Sequence, residues 1–309
     1  MLGLRREIAL SLYRWATRAE RARLVRSFEH DCAFPACILF YHRVANHTMN
    51  DWSIPVRNFQ NQMDWILNNA APASLDEIRQ SQLQGHRTKP MVGVTFDDGY
   101  SENCKFAIPL LLERKIPMTY FVSTHFVESG EPYPHDVAQG KALRPNSIAE
   151  VKRMAAAGVV IGSHSHSHVD FGQRLSRKQL QTEIADARKK LQDWTGQSVD
   201  YFAFPFGLKT NMTQSSIDAV FEAGHTCFVS AAGGFNLPDG HADHLQRIHG
   251  DPGFAAFQNW LTFDPRKVFR PSPIHFERRK PNARRLGLND LTMQQPNQVV
   301  VNESIGSAN

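Results

Sequence analysis

The sequence predicts an α/β protein in which short apolar strands alternate with helices and gather into a barrel-like parallel sheet. Three observations carry that expectation. Apolar runs of strand length recur at Ala36–Tyr41, Val92–Phe96, Met118–Val122, Val159–Ile161, Tyr201–Phe204 and Thr226–Val229. Unbroken rather than alternating apolarity marks strands buried on both faces. Helical periodicity occupies the gaps, and six strands in about 200 residues suit a barrel with its helices outside.

Taken in order, residues 2–28 read as one basic amphipathic helix. Leu4, Ile8, Leu12 and Trp15 form a stripe, with Arg5, Arg14, Arg18 and Arg21 off it. Such a helix suits either an anionic membrane surface or a docking face on the main domain. Phe59, Met63 and Ile66 mark a short helix, and Phe106–Glu113 and Ile148–Ala157 two more. Ser176-Arg177-Lys178-Gln179 has the form of a capping box. It opens a helix with Leu180, Ile184, Ala187, Leu191 and Trp194 on one face, closed by Gly196. After Asp264 the pattern gives way to Arg, Lys, Pro, Asn and Gln. The expected organisation is therefore a helical segment over 1–35, a catalytic domain over 36–264 and a loosely ordered basic tail over 265–309.

Composition sets bounds on function. The 309 residues are 41% hydrophobic, enough for a sizeable core. No run of 18 apolar residues occurs, so a spanning helix is not expected. Glu7 and Arg14 break the N-terminal apolar stretch, which does not fit a secretory signal and directs the expectation to the cytoplasm, at the inner membrane face if the helix binds lipid. Cys32, Cys37, Cys104 and Cys227 form no Cys-x-x-Cys pair, so a cysteine-based zinc site is not expected. The net charge of +5 is concentrated at the ends. Residues 1–30 carry seven arginines against three glutamates, and 265–285 eight basic residues against Glu277, leaving the remainder at −6. A mildly acidic body argues against nucleic acid as a partner.

The chemistry concentrates at two places. Val92–Tyr100 is a strand ending in Asp97, Asp98 and Gly99. Two adjacent carboxylates raise the cost of ionising one another. A cation removes the difficulty, with one carboxylate as ligand and the other left as a base. The second place is Ile161–His168, where His164, His166 and His168 recur. A turn selects the i, i+4 pair His164 and His168. Two imidazoles and a carboxylate leave an open coordination position on Zn²⁺, whose bound water loses its proton near neutrality.

Thr95-Phe96-Asp97-Asp98-Gly99 and His164-Ser165-x-x-His168 together resemble the first two motifs of the polysaccharide deacetylases, the group with NodB-type homology. The likeness runs over about 36–262 and includes Phe202-Ala203-Phe204-Pro205-Phe206-Gly207, similar to a third motif. It implies a distorted (β/α) barrel and metal-dependent removal of N-acetyl groups from the sugars of a polysaccharide or glycan precursor. By position it implies Asp97 as general base, Asp98, His164 and His168 as metal ligands, and Ser165 as a brace of the histidine turn. Zn²⁺ is the first expectation for the metal, with Fe²⁺, Co²⁺ or Ni²⁺ as substitutes. Pro205 and Phe206 fall at the oxyanion position, where a backbone N–H survives the replacement of the usual tyrosine by Phe206. Tyr100 is expected with Phe206 as a wall of the sugar pocket. The usual upstream arginine is missing, and Arg247 is its expected substitute, orienting Asp97. No late Leu-x-His occurs; Phe40-Tyr41-His42-Arg43-Val44 instead resembles the circularly permuted branch typified by poly-N-acetylglucosamine deacetylases. That makes His42 the expected general acid, ahead of His249. Two other classes fit parts of the pattern: a non-haem Fe(II) oxygenase, which uses a similar triad, and a catalytically silent glycan-binding protein.

Overall fold

In a computed structural model, which describes residues 2–238, 240–250 and 253–278, eight parallel strands form a nearly closed barrel. They are β1 (Ala36–Tyr41), β2 (Met91–Phe96), β3 (Met118–Val122), β4 (Val160–Ser163), β5 (Tyr201–Ala203), β6 (Cys227–Ser230), β7 (His244–Gln246) and β8 (Ile248–His249). Pairing runs β7-β6-β5-β4-β3-β2-β1-β8. The two strands at the ends of that order are consecutive in the chain and parted only by Arg247. The first half of this broken strand pairs with β6, and the second half sets Leu39 against Ile248 and Phe40 against His249. The barrel closes through a seam at Arg247.

Each strand sends alternate side chains to opposite sides. On β1, Ala36 and Ile38 join Phe121, Tyr201, Val229 and Leu245 in one cluster. Cys37, Leu39 and Tyr41 join a second, larger one with Phe59, Met63 and Ile66 of helix Val56–Asn69. Gly162 on β4 is required by close approach, because a methyl group there would run into the Phe121 ring.

The structure reproduces the expected bounds of β1 and β3 and moves those of β2, β4, β5 and β6 by one or two residues. β7 and β8 were not expected. His-Leu-Gln-Arg-Ile-His is too polar to read as a buried strand, because His244, Gln246 and Arg247 are buried on polar partners, Ser230, Asn236 and Asp97. The capping box at Ser176 is present, and Gly196 closes the helix in the left-handed conformation. Between them the helix carries a π-helical stretch, Gln181–Asp186.

Two boundaries need correction. Residues 2–28 are not one helix but two, Leu2–Ala16 and Arg18–Asp31. At the break, the Thr17 hydroxyl bonds back to the carbonyls of Tyr13 and Arg14, a contact that bends helices. Nor is this segment separate from the domain. Tyr13 donates to Asp264, and buried Arg21 donates to Asn259 and Thr262. The expected tail also begins too early, since Val268 and Ile274 are buried and the compact unit extends to Glu277. The remainder of that tail, 279–309, lies outside the described residues.

Candidate active site

The site gathers where the strands end, the face at which barrel enzymes place their chemistry. Register explains the gathering. Tyr41 is level with Phe96, so His42 follows β1 just as Asp97 and Asp98 follow β2. Val122 is level with Ser163, which brings His164 alongside the end of β3.

Asp98, His164 and His168 each offer one ligand atom, all within 4.8 Å of one another. Asp98 Oδ1 stands 3.3 Å from Nε2 of both histidines. The arrangement fits a divalent cation. Asp98 Oδ1 is buried with no hydrogen-bond partner, and two imidazoles with one carboxylate are the donor set of an open zinc-type site. Burial opposes charge on Asp98, but the two histidines more than offset it and hold the carboxyl well below its ordinary range. Burial likewise works against a charged His164, and Asp97 and Asp98 outweigh it.

Backbone and neighbours fix these ligands. His164 Nδ1 lies 2.8 Å from the Ala203 carbonyl, which turns Nε2 toward Asp98. The His168 N–H donates to Ser165 Oγ at 2.9 Å, the brace expected of Ser165. Asp98, Ser165, His168 and Phe206 all adopt positive φ, between 59° and 70°. That conformation costs a non-glycine residue about 1–3 kcal/mol and concentrates at functional sites.

Asp97 lies apart from the ligand set. Arg247 grips it with two bonds, Nη1 to Oδ1 at 2.6 Å and Nη2 to Oδ2 at 2.8 Å. The same guanidinium donates to Thr95 Oγ1 and the Ser230 carbonyl, and it is buried. Burial pushes the Asp97 carboxyl up, but Arg247 and then His164 more than reverse this, so it lies below its usual value. A planar fork of this kind fixes both the charge and the plane of the carboxylate.

His42 and His249 occupy one corner, their ring centroids 6.4 Å apart. Trp52 touches both, at 4.8 and 5.9 Å. His42 Nδ1 is buried without a partner. Burial pushes the His42 imidazole down to about 4, against the pull of Asp98 and Asp97. Trp52 is 43% exposed.

The substrate-side residues divide. Phe206 is exposed, its ring is 5.0 Å from that of His168, and its N–H meets no acceptor among the described residues. Pro205 is buried, and its carbonyl accepts from Gly207 N–H to close the turn that presents Phe206. Tyr100 is fully buried, which corrects its placement as a pocket wall. Its hydroxyl is committed to Asp136 at 2.7 Å, with His135 Nε2 at 3.0 Å. A phenol with a buried carboxylate partner belongs inside.

Two supports had no sequence signal. Tyr133 donates to the Asp98 carbonyl at 2.5 Å and sets its ring edge-on to His168. Glu183, in the π-helical stretch, accepts from the N–H groups of His166 and Ser167 and from the Ser167 hydroxyl, at 3.1, 2.9 and 2.6 Å. Its own carbonyl takes a further bond from His166 N–H. His166 is not one of the three gathered ligands; its Nδ1 pairs with Thr124 Oγ1 at 2.8 Å.

With this geometry in hand, the comparisons with known proteins agree on the class. Residues 84–228 match the family model described as polysaccharide deacetylase. YxkH of Bacillus subtilis is 25% identical over 221 residues, covering 71% of this chain and 72% of that one. The peptidoglycan-N-acetylmuramic acid deacetylase PdaA of the same organism is 26% identical over 133 residues, 43% of this chain and 44% of PdaA. Among solved structures, the deacetylase PplD of Streptococcus pyogenes superposes with a TM-score of 0.62 at 19% identity, covering 72% of this chain and 97% of PplD. IcaB from Ammonifex degensii does so with 0.58 at 22%, covering 74% and 97%. The fold is the (β/α) barrel of the NodB type. Over the matched residues the chain is similar to the polysaccharide deacetylases.

Proposed function

We propose that this protein is a metal-dependent hydrolase that removes N-acetyl groups from the sugars of a polysaccharide or glycan precursor. The observation that carries the reading is the division of labour between adjacent carboxylates. Asp98 faces two imidazoles, while Asp97 is held away from them by a two-point bond to Arg247.

Asp98, His164 and His168 would hold the cation, which supplies Lewis acidity toward water and the acyl oxygen when bound. Asp97, ionised and fixed in plane, accepts the proton that the attacking water sheds. The Phe206 N–H donates to the oxygen that gains charge as the carbonyl carbon becomes tetrahedral. His42 is neutral at rest, since burial holds it down to about 4. It would pass to the nitrogen, as the C–N bond breaks, a proton taken up from solvent, which regains the one that Asp97 removed from the water. Acetate and a free amino sugar leave. Trp52, beside His42, offers an aromatic face to a sugar ring.

The test is acetate release from a panel of N-acetylated glycans. Metal-stripped protein is reconstituted in turn with Zn²⁺, Fe²⁺, Co²⁺ and Ni²⁺. Release with at least one metal, and none without, is the expected result. The same turnover in the metal-free protein would sink the reading.

A further inference from the structure

The first helix, Leu2–Ala16, is held on the body by one side and bare on the other. Its inner side is anchored at four points, one of them Arg14, which donates to Gln258. Tyr13 donates to Asp264, the Glu7 carboxylate accepts from Ala255 N–H at the start of helix Phe254–Leu261, and the Leu10 carbonyl accepts from Asn259. These bonds fix the rotation of the helix about its axis, and hence what faces outward. That outward face is the sequence stripe: Leu4 is 68% exposed, Ile8 52%, Leu12 62% and Trp15 65%. At 1.5 Å per residue it runs about 16 Å, a continuous apolar strip rather than scattered surface residues.

The rim of the strip says what would cover it. Arg5 and Arg18 are exposed, and the Arg18 guanidinium lies over the Trp15 ring at 4.3 Å from its centroid. Glu7 is the single acidic residue of this helix, and its carboxylate is turned inward to the Ala255 N–H. A second copy of this chain fits such a rim poorly, since a two-fold pairing of the strip brings arginines toward arginines, and the one acid beside it, Glu7, is already bonded to Ala255 N–H. A planar anionic surface meets both demands at once, apolar beneath the strip and negative along its edges. Leucine, isoleucine and tryptophan on one face with arginines at the border is the make-up of a helix lying in a lipid interface.

We propose that the Leu4–Ile8–Leu12–Trp15 face of the first helix docks the protein on an anionic lipid bilayer, with Arg5 and Arg18 at the headgroup level. No helix among the described residues is long and apolar enough to cross a membrane. The docking is independent of the catalytic reading, because vesicle binding is measured without turnover.

The test uses the full chain and vesicles of phosphatidylcholine with or without one-third phosphatidylglycerol, in a co-sedimentation assay. Binding to the anionic vesicles is expected, with at least a tenfold loss in the Leu12→Ser/Trp15→Ser double variant. Arg5→Glu/Arg18→Glu is expected to lose a similar factor, and raising salt weakens the wild type. The substituted side chains are exposed, so unchanged melting curves confirm that the fold is intact. Failure to bind anionic vesicles overturns the proposal, as does equal binding by the double variant. It is also overturned if sedimentation shows a stable dimer that the double variant dissolves while vesicles remain unbound.

Discussion

Replacing Arg247 with methionine isolates the seam of the barrel from the rest of the site. The guanidinium is buried and makes four bonds, two to Asp97, one to Thr95 and one to the Ser230 carbonyl. Methionine has similar length and no charge, so the loss is electrostatic rather than volumetric. Breaking a buried pair from one side leaves the other charge stranded and costs about 3–5 kcal/mol. For a domain of this size each kcal/mol lowers the melting temperature by roughly 2–4 °C, so a fall of about 6–20 °C is expected by calorimetry. The decisive measurement is a double-mutant cycle with Asp97→Leu. If the two groups stabilise each other, Asp97→Leu/Arg247→Met is less destabilised than the sum of the single variants by at least about 2 kcal/mol. Additivity within about 0.5 kcal/mol would refute the reasoning. Arg247→Lys keeps the charge but not the two-point hold, so it is expected to recover most of the stability and little of the acetate release.

Four further outcomes follow from the same coordinates. Asp97→Asn is expected to lower turnover by roughly 100-fold or more while elemental analysis finds metal content unchanged; Asp98→Asn and His168→Ala are expected to lose both. Glu183→Ala removes the acceptor for three donors of the His166–Ser167 turn, so metal affinity measured by chelator competition should fall about 10–100-fold; unchanged affinity would leave Glu183 without the bracing role. Gly162→Ala forces a methyl into the Phe121 ring and is expected to cost at least about 1–3 kcal/mol in urea unfolding. Buried His225 and His244 are pushed down to about 3, in both cases chiefly by burial. An unfolded histidine titrates near 6.5, so between these values the unfolded chain binds more protons. Stability is therefore complete above about pH 6.5 and falls with acid, by about 2 kcal/mol per histidine at pH 5. The acid loss should be about that much smaller in His244→Phe, and an equal loss in both proteins would exclude His244 as its source.

How much of this was legible in the sequence depends on how local the signal is. β1 is an unbroken apolar run and β3 is interrupted only by Thr119, each set off by a proline, Pro35 or Pro117, and a buried parallel strand writes itself that way. The Asp97–Asp98 pair and His164/His168 are local too, each set within five residues, so spacing alone brings them forward. Arg247 was reached only through a resemblance, because nothing near it in sequence says which carboxylate it meets. Tyr133 and Glu183 gave no signal at all. Each serves the site through a bond spanning 16 to 35 residues, and the π-helical stretch that aims Glu183 leaves no mark on apolar periodicity. Tyr100 was misplaced for the converse reason. It directly follows the motif residues in sequence, yet its acceptor Asp136 lies in a later segment and draws it inward.

The seam at Arg247 also has a temporal meaning. By the time a growing chain has made β5, it has already placed Asp97, Asp98, His164 and His168. It still lacks the guanidinium that counters Asp97, along with the strand that seals β1. Burial without that counter-charge opposes ionisation of the carboxylate, so an unfinished barrel leaves Asp97 neither aimed nor held ionised. The Asp97–Arg247 pair therefore forms late, with synthesis of the residues around position 250. A chain that ends before Arg247 carries Asp98, His164 and His168 without the group that aims Asp97.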